Sequence, residues 1–165
     1  MAIAGIGTVI SVLGCFLVRA KEDASQKNLL SALNRGIWGA GIGILVVSAF
    51  IVLLFLKGPL GTAGALGVWG AIAAGLVSGL VIGRSTEMYT SDTYKPTREL
   101  ADKALTGPAT VIIDGYALGL RSTGIPVLAI TAAIILAFGL AGGFGTTAQA
   151  VQLGLYGVGI AAVGM

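Results

Sequence analysis

The stretch Arg84–Thr110, RSTEMYTSDTYKPTRELADKALTGPAT, is a long polar interval in a 165-residue chain that is otherwise largely apolar. It carries Arg84, Glu87, Asp92, Lys95, Arg98, Glu99, Asp102 and Lys103, with Tyr89, Tyr94 and a run of hydroxyls between them. One apolar run leads into it and another follows, so its charges are expected at a membrane face. Charged side chains in such a place ordinarily orient the adjoining helices and keep their own heads in water.

Composition supports the membrane reading. The chain is 56% hydrophobic and 10% charged, whereas a soluble globular chain carries roughly 25% charged residues. Its 27 glycines suit membrane helices, in which small residues let backbones approach closely. The net charge of +3 does not point to nucleic acid, because the basic residues are spread over the connectors as orientation signals. Cys15 stands alone in an apolar run, which excludes an internal disulfide or a cysteine metal site and leaves it as a small packing residue. The absence of histidine excludes a histidine base, a histidine ligand and a Ser-His-Asp triad.

Outward from the polar stretch, the runs predict an all-α, polytopic transmembrane helix bundle with spans at about 2–18, 37–56, 63–83, 107–138 and 151–165. The first run lies near the lower length limit and has its basic residues, Arg19 and Lys21, behind it, the reverse of a secretory signal. Connector 19–36 is polar, and Leu29, Leu30 and Leu33 suggest a short amphipathic turn on the interface. The second span is expected to stop at Lys57-Gly58-Pro59. In the third, Gly75, Gly79 and Gly83 recur every four residues and predict a close-packed ridge. Gly39, Gly41 and Gly43 lie inside an apolar run with no preceding strand, which argues against a phosphate-binding loop.

Pro108 fits the first turn of the fourth span, which Gly119, Arg121, Ser122, Gly124 and Pro126 interrupt. Residues 140–149 form an uncharged turn, and the last run is short for a span, so the expected layout is four full spans plus a truncated fifth. Of the ten Lys and Arg residues, four lie in connector 19–36 and four in 84–106, while Lys57 alone marks the intervening turn. That alternation predicts both basic connectors in the cytoplasm and the amino end outside.

The residue order of the polar stretch resembles the membrane-integral pyrophosphatases, pumps that couple pyrophosphate hydrolysis to proton or sodium transport. The resemblance rests on Gly83, Thr86-Glu87, Tyr89-Thr90-Ser91, Tyr94, Pro96, Thr106-Gly107-Pro108-Ala109-Thr110 and Gly115-Tyr116-Ala117-Leu118-Gly119. It continues through Ile125-Pro126-Val127 to Leu155-Tyr156-Gly157 and Ala161-Ala162-Val163-Gly164-Met165. Two positions depart from it: Met88 stands where another tyrosine is usual, and Asp114 where a small or apolar residue is usual.

The resemblance implies an internal segment of a pump of about sixteen helices, mainly from its outer ring, in a prokaryotic inner membrane. It also implies a homodimer, pyrophosphate as the parent's substrate and magnesium as its cofactor, with the ligands on aspartate-rich helices outside this chain. Potassium dependence stays open. The seven carboxylates here include no dense Asp-x-x-x-Asp pair, and holding magnesium pyrophosphate takes several convergent carboxylates. The chain alone is therefore expected to be inactive, with no catalytic, substrate or metal residues of its own.

Four coupling or structural candidates remain. Arg84 and Glu87 are three apart at the end of the third span and can pair along one face. The pair reads either as an interfacial salt bridge or as a group that supports the coupling of hydrolysis to ion movement, since a carboxylate at a low-dielectric boundary responds to a neighbouring cation. Asp114 and Arg121 are two turns apart in the fourth span, and charges within or beside a membrane are functional candidates by default. Without the resemblance, the same residues read as a small non-enzymatic scaffold or transporter subunit.

Overall fold

The computed structural model describes residues 2–16, 18 and 26–164. They form α1 (Ala2–Cys15), α2 (Gln26–Thr90), α3 (Lys95–Lys103), α4 (Pro108–Leu140) and α5 (Ala148–Gly164), with no strand among the described residues. Arg19, Lys21 and most of the first half of connector 19–36 lie outside them.

The long α2 is a hairpin. Its helix runs past Pro59 and breaks at Gly61, where φ is 72° and ψ is 175°, a conformation open to glycine and strained for other residues. The expected stop at Lys57-Gly58-Pro59 is thus displaced to Gly61. The two arms then run antiparallel. Val52, Ala65, Val68 and Ile72 form a buried cluster between them, and Trp69 Nε1 donates to the Leu45 carbonyl at 3.1 Å.

Both arms are longer than the apolar runs alone suggest. The described part of connector 19–36 is helical from Gln26 onward, so Leu30 and Leu33 belong to the first turns of α2 and not to a separate interfacial turn. Only Gly36 weakens the helix between them and the run beginning at Ile37, at a cost of about 1 kcal/mol that a nucleated helix can propagate through. The second arm likewise carries on through Arg84 to Thr90. Ser85, Thr86 and Thr90 cap their own hydroxyls on carbonyls one turn back, at 2.8 to 2.9 Å, so the polar residues do not interrupt it.

Glycines set how closely the helices pack. A side chain at Gly36 would meet Val18, one at Gly14 would meet Ala40 Cβ at 3.1 Å, and one at Gly43 would meet Ile10 Cγ2 at 3.0 Å, so α1 lies antiparallel against the first arm. Of the predicted ridge, Gly75 lies against the Ala161 backbone of α5, whereas Gly83 faces open space. Ala71, Ala137 and Ala161 bury one another where the second arm, α4 and α5 meet. At the turn after α4, Gly143 and Gly154 leave room for the Phe138 ring, which meets Phe144 edge to face at 5.5 Å.

Among the described residues, three helices are long and apolar enough to cross a membrane: Leu30–Leu56, Gly61–Lys103 and Pro108–Leu140. The other two are shorter apolar helices: α5 has 17 residues, where a short last run was expected, and α1 falls below the full span expected at about 2–18. The 14 residues of α1 reach about 21 Å, because the chain tightens into i→i+3 bonds at Phe16 and Val18, and the hydrocarbon core is about 30 Å thick. In α4, Gly119, Gly124 and Pro126 do not break the helix. Ser122 and Thr123 bond back to Gly119 and Leu120 at 2.7 and 2.8 Å, which ties the turn before Pro126 to itself.

Candidate functional site

Polar residues concentrate at one end of the bundle, where the second arm of α2, α3 and the first half of α4 come together. The chain leaves α2 at Thr90, crosses 91–94 and enters α3 with Pro96 in its first turn, a position that needs no amide donor. Thr97 Oγ1 donates to the Tyr89 carbonyl at 3.2 Å, and Arg98 Nε donates to the Asp92 carbonyl at 2.7 Å. These bonds fold α3 back on the end of α2. Gly107, with φ of 135°, turns the chain into Pro108, and Thr110 Oγ1 donates to the Gly107 carbonyl at 2.7 Å. The rest of α3 lies along α4, with Leu100 over the bare backbone of Gly115.

A cleft of about 490 Å³ opens among these elements. On α4 it is lined by Asp114, Ala117, Leu118 and Arg121, spaced to share one helix face; α3 contributes Lys95, Glu99 and Lys103, and α2 contributes Met88 and Tyr89. Lys103 Nζ sits 4.0 Å from Asp114 Oδ2, with both side chains about half exposed. Asp114 is therefore opposite Lys103 of the neighbouring helix and not Arg121 of its own, although both Asp114 and Arg121 face the cleft.

Arg84 and Glu87 form a second constellation beside this cleft. Arg84 Nη1 donates to Glu87 Oε2 at 3.0 Å, and the guanidinium lies 5.8 Å from the centre of the Tyr94 ring. Glu87 is 17% exposed and Arg84 63% exposed, so the contact is worth no more than about 0.5 kcal/mol. Tyr89, Lys95, Glu99 and Lys103 join the site only through tertiary structure. Lys95, Glu99 and Lys103 recur every four residues, the spacing of one helix face, whereas Tyr89 carries no such signal.

The arrangement can hold mixed charge at the surface of an apolar bundle. It does not fit a metal ion: among the described residues no three acidic or cysteine side chains converge, and the cleft's two carboxylates stand among Lys95, Lys103 and Arg121. Uncharged residues 122–140 of α4 extend about 28 Å, close to the thickness of a hydrocarbon core. Asp114 and Arg121 lie in the half of α4 that precedes this uncharged run.

These features define a polytopic helical membrane protein whose charged groups gather where its helices leave the apolar zone. The particular family is equally plain: the whole chain, residues 1–165, matches the inorganic H+ pyrophosphatase family and belongs to it. It is 46% identical to a protein of Bacteroides thetaiotaomicron named as a K(+)-stimulated pyrophosphate-energized sodium pump, over 100% of this chain and 22% of that protein. It is 36% identical to the K(+)-insensitive pyrophosphate-energized proton pump 2 of Moorella thermoacetica, over 96% of this chain and 22% of that protein. With the K(+)-stimulated sodium pump of Thermotoga maritima it shares 34% over 99% of the chain and 21% of the relative. The chain thus spans about a fifth of the length of these relatives.

Proposed function

We propose that this chain serves as a peripheral helical segment of a pyrophosphate-energised ion pump, which couples diphosphate hydrolysis to proton or sodium translocation. The observation that supports this reading is the unbroken family match over residues 1–165. The relatives bearing it are named for both ions and for both K(+) stimulation and K(+) insensitivity. Neither choice is tied to a residue of this segment.

In this reading magnesium pyrophosphate is held by carboxylates outside the chain, since those inside it are few and set among cations. The segment's own contribution is mechanical and electrostatic. Its small-residue interface of α2, α4 and α5 forms a rigid wall, and the Arg84–Glu87 pair anchors the end of the second arm at the membrane boundary. The two basic connectors lie in the cytoplasm of a prokaryotic cell, at the inner membrane. The remaining helices of the pump, and a second copy of it in a homodimer, cover apolar faces that this segment exposes.

A chimera tests the proposal. The matching segment of the Bacteroides relative is replaced by this chain, whose 46% identity keeps most contacts similar. Hydrolysis of pyrophosphate and ion uptake into vesicles should both persist at a substantial fraction of the parent level. A folded, membrane-inserted chimera with neither activity would refute the assignment. The chain alone, purified in detergent, should show no turnover above a mock preparation.

A further inference from the structure

The polar cleft between α3 and α4 carries opposite charges that do not meet. At one end Lys103 Nζ stands 4.0 Å from Asp114 Oδ2. Further along, Glu99 of α3 and Arg121 of α4 line the same cleft. Among the described residues the ion pairs join Arg84 to Glu87 and Lys103 to Asp114, which leaves Glu99 and Arg121 without one.

Helix geometry aims the two at each other. Thr110 Oγ1 donates to the Lys103 carbonyl at 3.3 Å while Leu100 lies against Gly115, so going back along α3 is going forward along α4. Glu99 stands four residues before Lys103, about 6 Å of axial rise, and Arg121 seven residues after Asp114, about 10.5 Å. The mismatch is therefore about 4.5 Å. Side chains on a helix lean toward its amino end. In this antiparallel arrangement Glu99 leans toward Arg121 and Arg121 toward Glu99, so two long side chains take up the mismatch from both sides. The helices that carry them are joined through residues 104–107 alone, which makes their meeting intramolecular and its effective concentration high.

Little holds α3 between its ends. None of its residues is buried. It is tied to α2 through the Tyr89 and Asp92 carbonyls and to α4 through Lys103 and Leu100. Segments with few buried apolar contacts open locally at low free energy. At the joint into α4, Gly107 has φ of 135° and open space around it, so the chain there is free to turn. We propose that α3 is a lid that closes the polar cleft onto α4, with a Glu99–Arg121 ion pair as its latch and the Lys103–Asp114 end as its pivot. Through Thr97 and Arg98 the lid draws on the end of α2, so closing it links the second arm of α2 to α4. Its bearing on ion transport rests on the pump reading above; the closure itself does not.

The test uses the full-length chimera in detergent, freed of cysteines, Cys15→Ala included, except for Ala117→Cys on the exposed α4 wall of the cleft. The rate of labelling by an uncharged hydrophilic maleimide reports how open the cleft is. Glu99→Arg and Arg121→Glu should each raise that rate about two- to fivefold, the ratio that one exposed ion pair supports. The double exchange, Glu99→Arg with Arg121→Glu, should restore the original rate, whereas simple damage to α3 would persist in it. Rates unmoved by the single reversals, a double exchange as fast as the singles, or no labelling in any variant because other helices of the pump fill the cleft would each overturn the lid. Labelling is read on folded chimera whether or not it turns over pyrophosphate, so a failure of the pump reading shows separately, as an inactive unmodified chimera.

Discussion

Gly75→Ala should loosen the packing of α5 on the hairpin. An added methyl at Gly75 would run into the Ala161 carbonyl, with its carbon at 2.8 Å and its Cα at 3.0 Å. These are backbone atoms in the middle of a helix, so relief requires α5 to retreat by roughly 1 Å, a gap that forfeits a quarter to a half of each dispersion contact across it. The contacts at stake are those of Ala71, Ala137 and Ala161. Overpacking of this kind costs about 1–3 kcal/mol, against a gain of up to about 1 kcal/mol from replacing glycine in a helix. With the full gain the net loss is about 0–2 kcal/mol, and relative to a helical glycine-to-alanine change in open space, which shares the gain, it is about 1–3 kcal/mol. Gly83→Ala is the matched control, because nothing lies within 4 Å of its added carbon, so it should be neutral or slightly stabilising. Unfolding in mixed micelles of rising dodecyl sulfate fraction, followed by helical circular dichroism, reads both variants. If Gly75→Ala unfolds at the same detergent fraction as Gly83→Ala, the close approach of α2 and α5 is not an energetic determinant of this fold.

Two other expectations follow from the layout. With Cys15→Ala as background, Ser91→Cys and Thr62→Cys should label from opposite sides of the membrane, with Ser91→Cys refractory to an impermeant reagent applied outside cells; labelling of both from one side would break the hairpin assignment. In the full-length pump, Glu87→Gln should lower the ions moved per pyrophosphate more than it lowers hydrolysis, and Glu87→Asp should be milder. A parallel fall in both activities and in folded protein would make the Arg84–Glu87 pair structural, and no change would make it an ordinary surface charge.

Much of the architecture was legible from the pattern of apolar runs. Helix type and the approximate position of each run follow from hydrophobicity at the scale of a bilayer, where a backbone without water must satisfy its own hydrogen bonds. The ends of the helices were not legible in the same way. Apolarity ends near Gly83, but the helix ends at Thr90, because Ser and Thr hydroxyls and the Arg84–Glu87 pair are compatible with another two turns. Pro59 looked like the stop, yet it is Gly61 whose backbone can turn the corner.

The charged residues show the same division. Sequence alone put Arg84 and Glu87 at the end of one apolar run and Asp114 and Arg121 within the next, since that depends only on their neighbours along the chain. It could also place Arg84 and Glu87 in reach of each other, because three residues on a helix are a fixed local distance. Only tertiary structure decided that Asp114 faces Lys103 and that α3 folds back to make a cleft with α4. Those relations join residues from different helices. They depend on which glycine faces which backbone, and hydrophobic periodicity is silent on that because glycine, alanine and leucine all satisfy an apolar pattern.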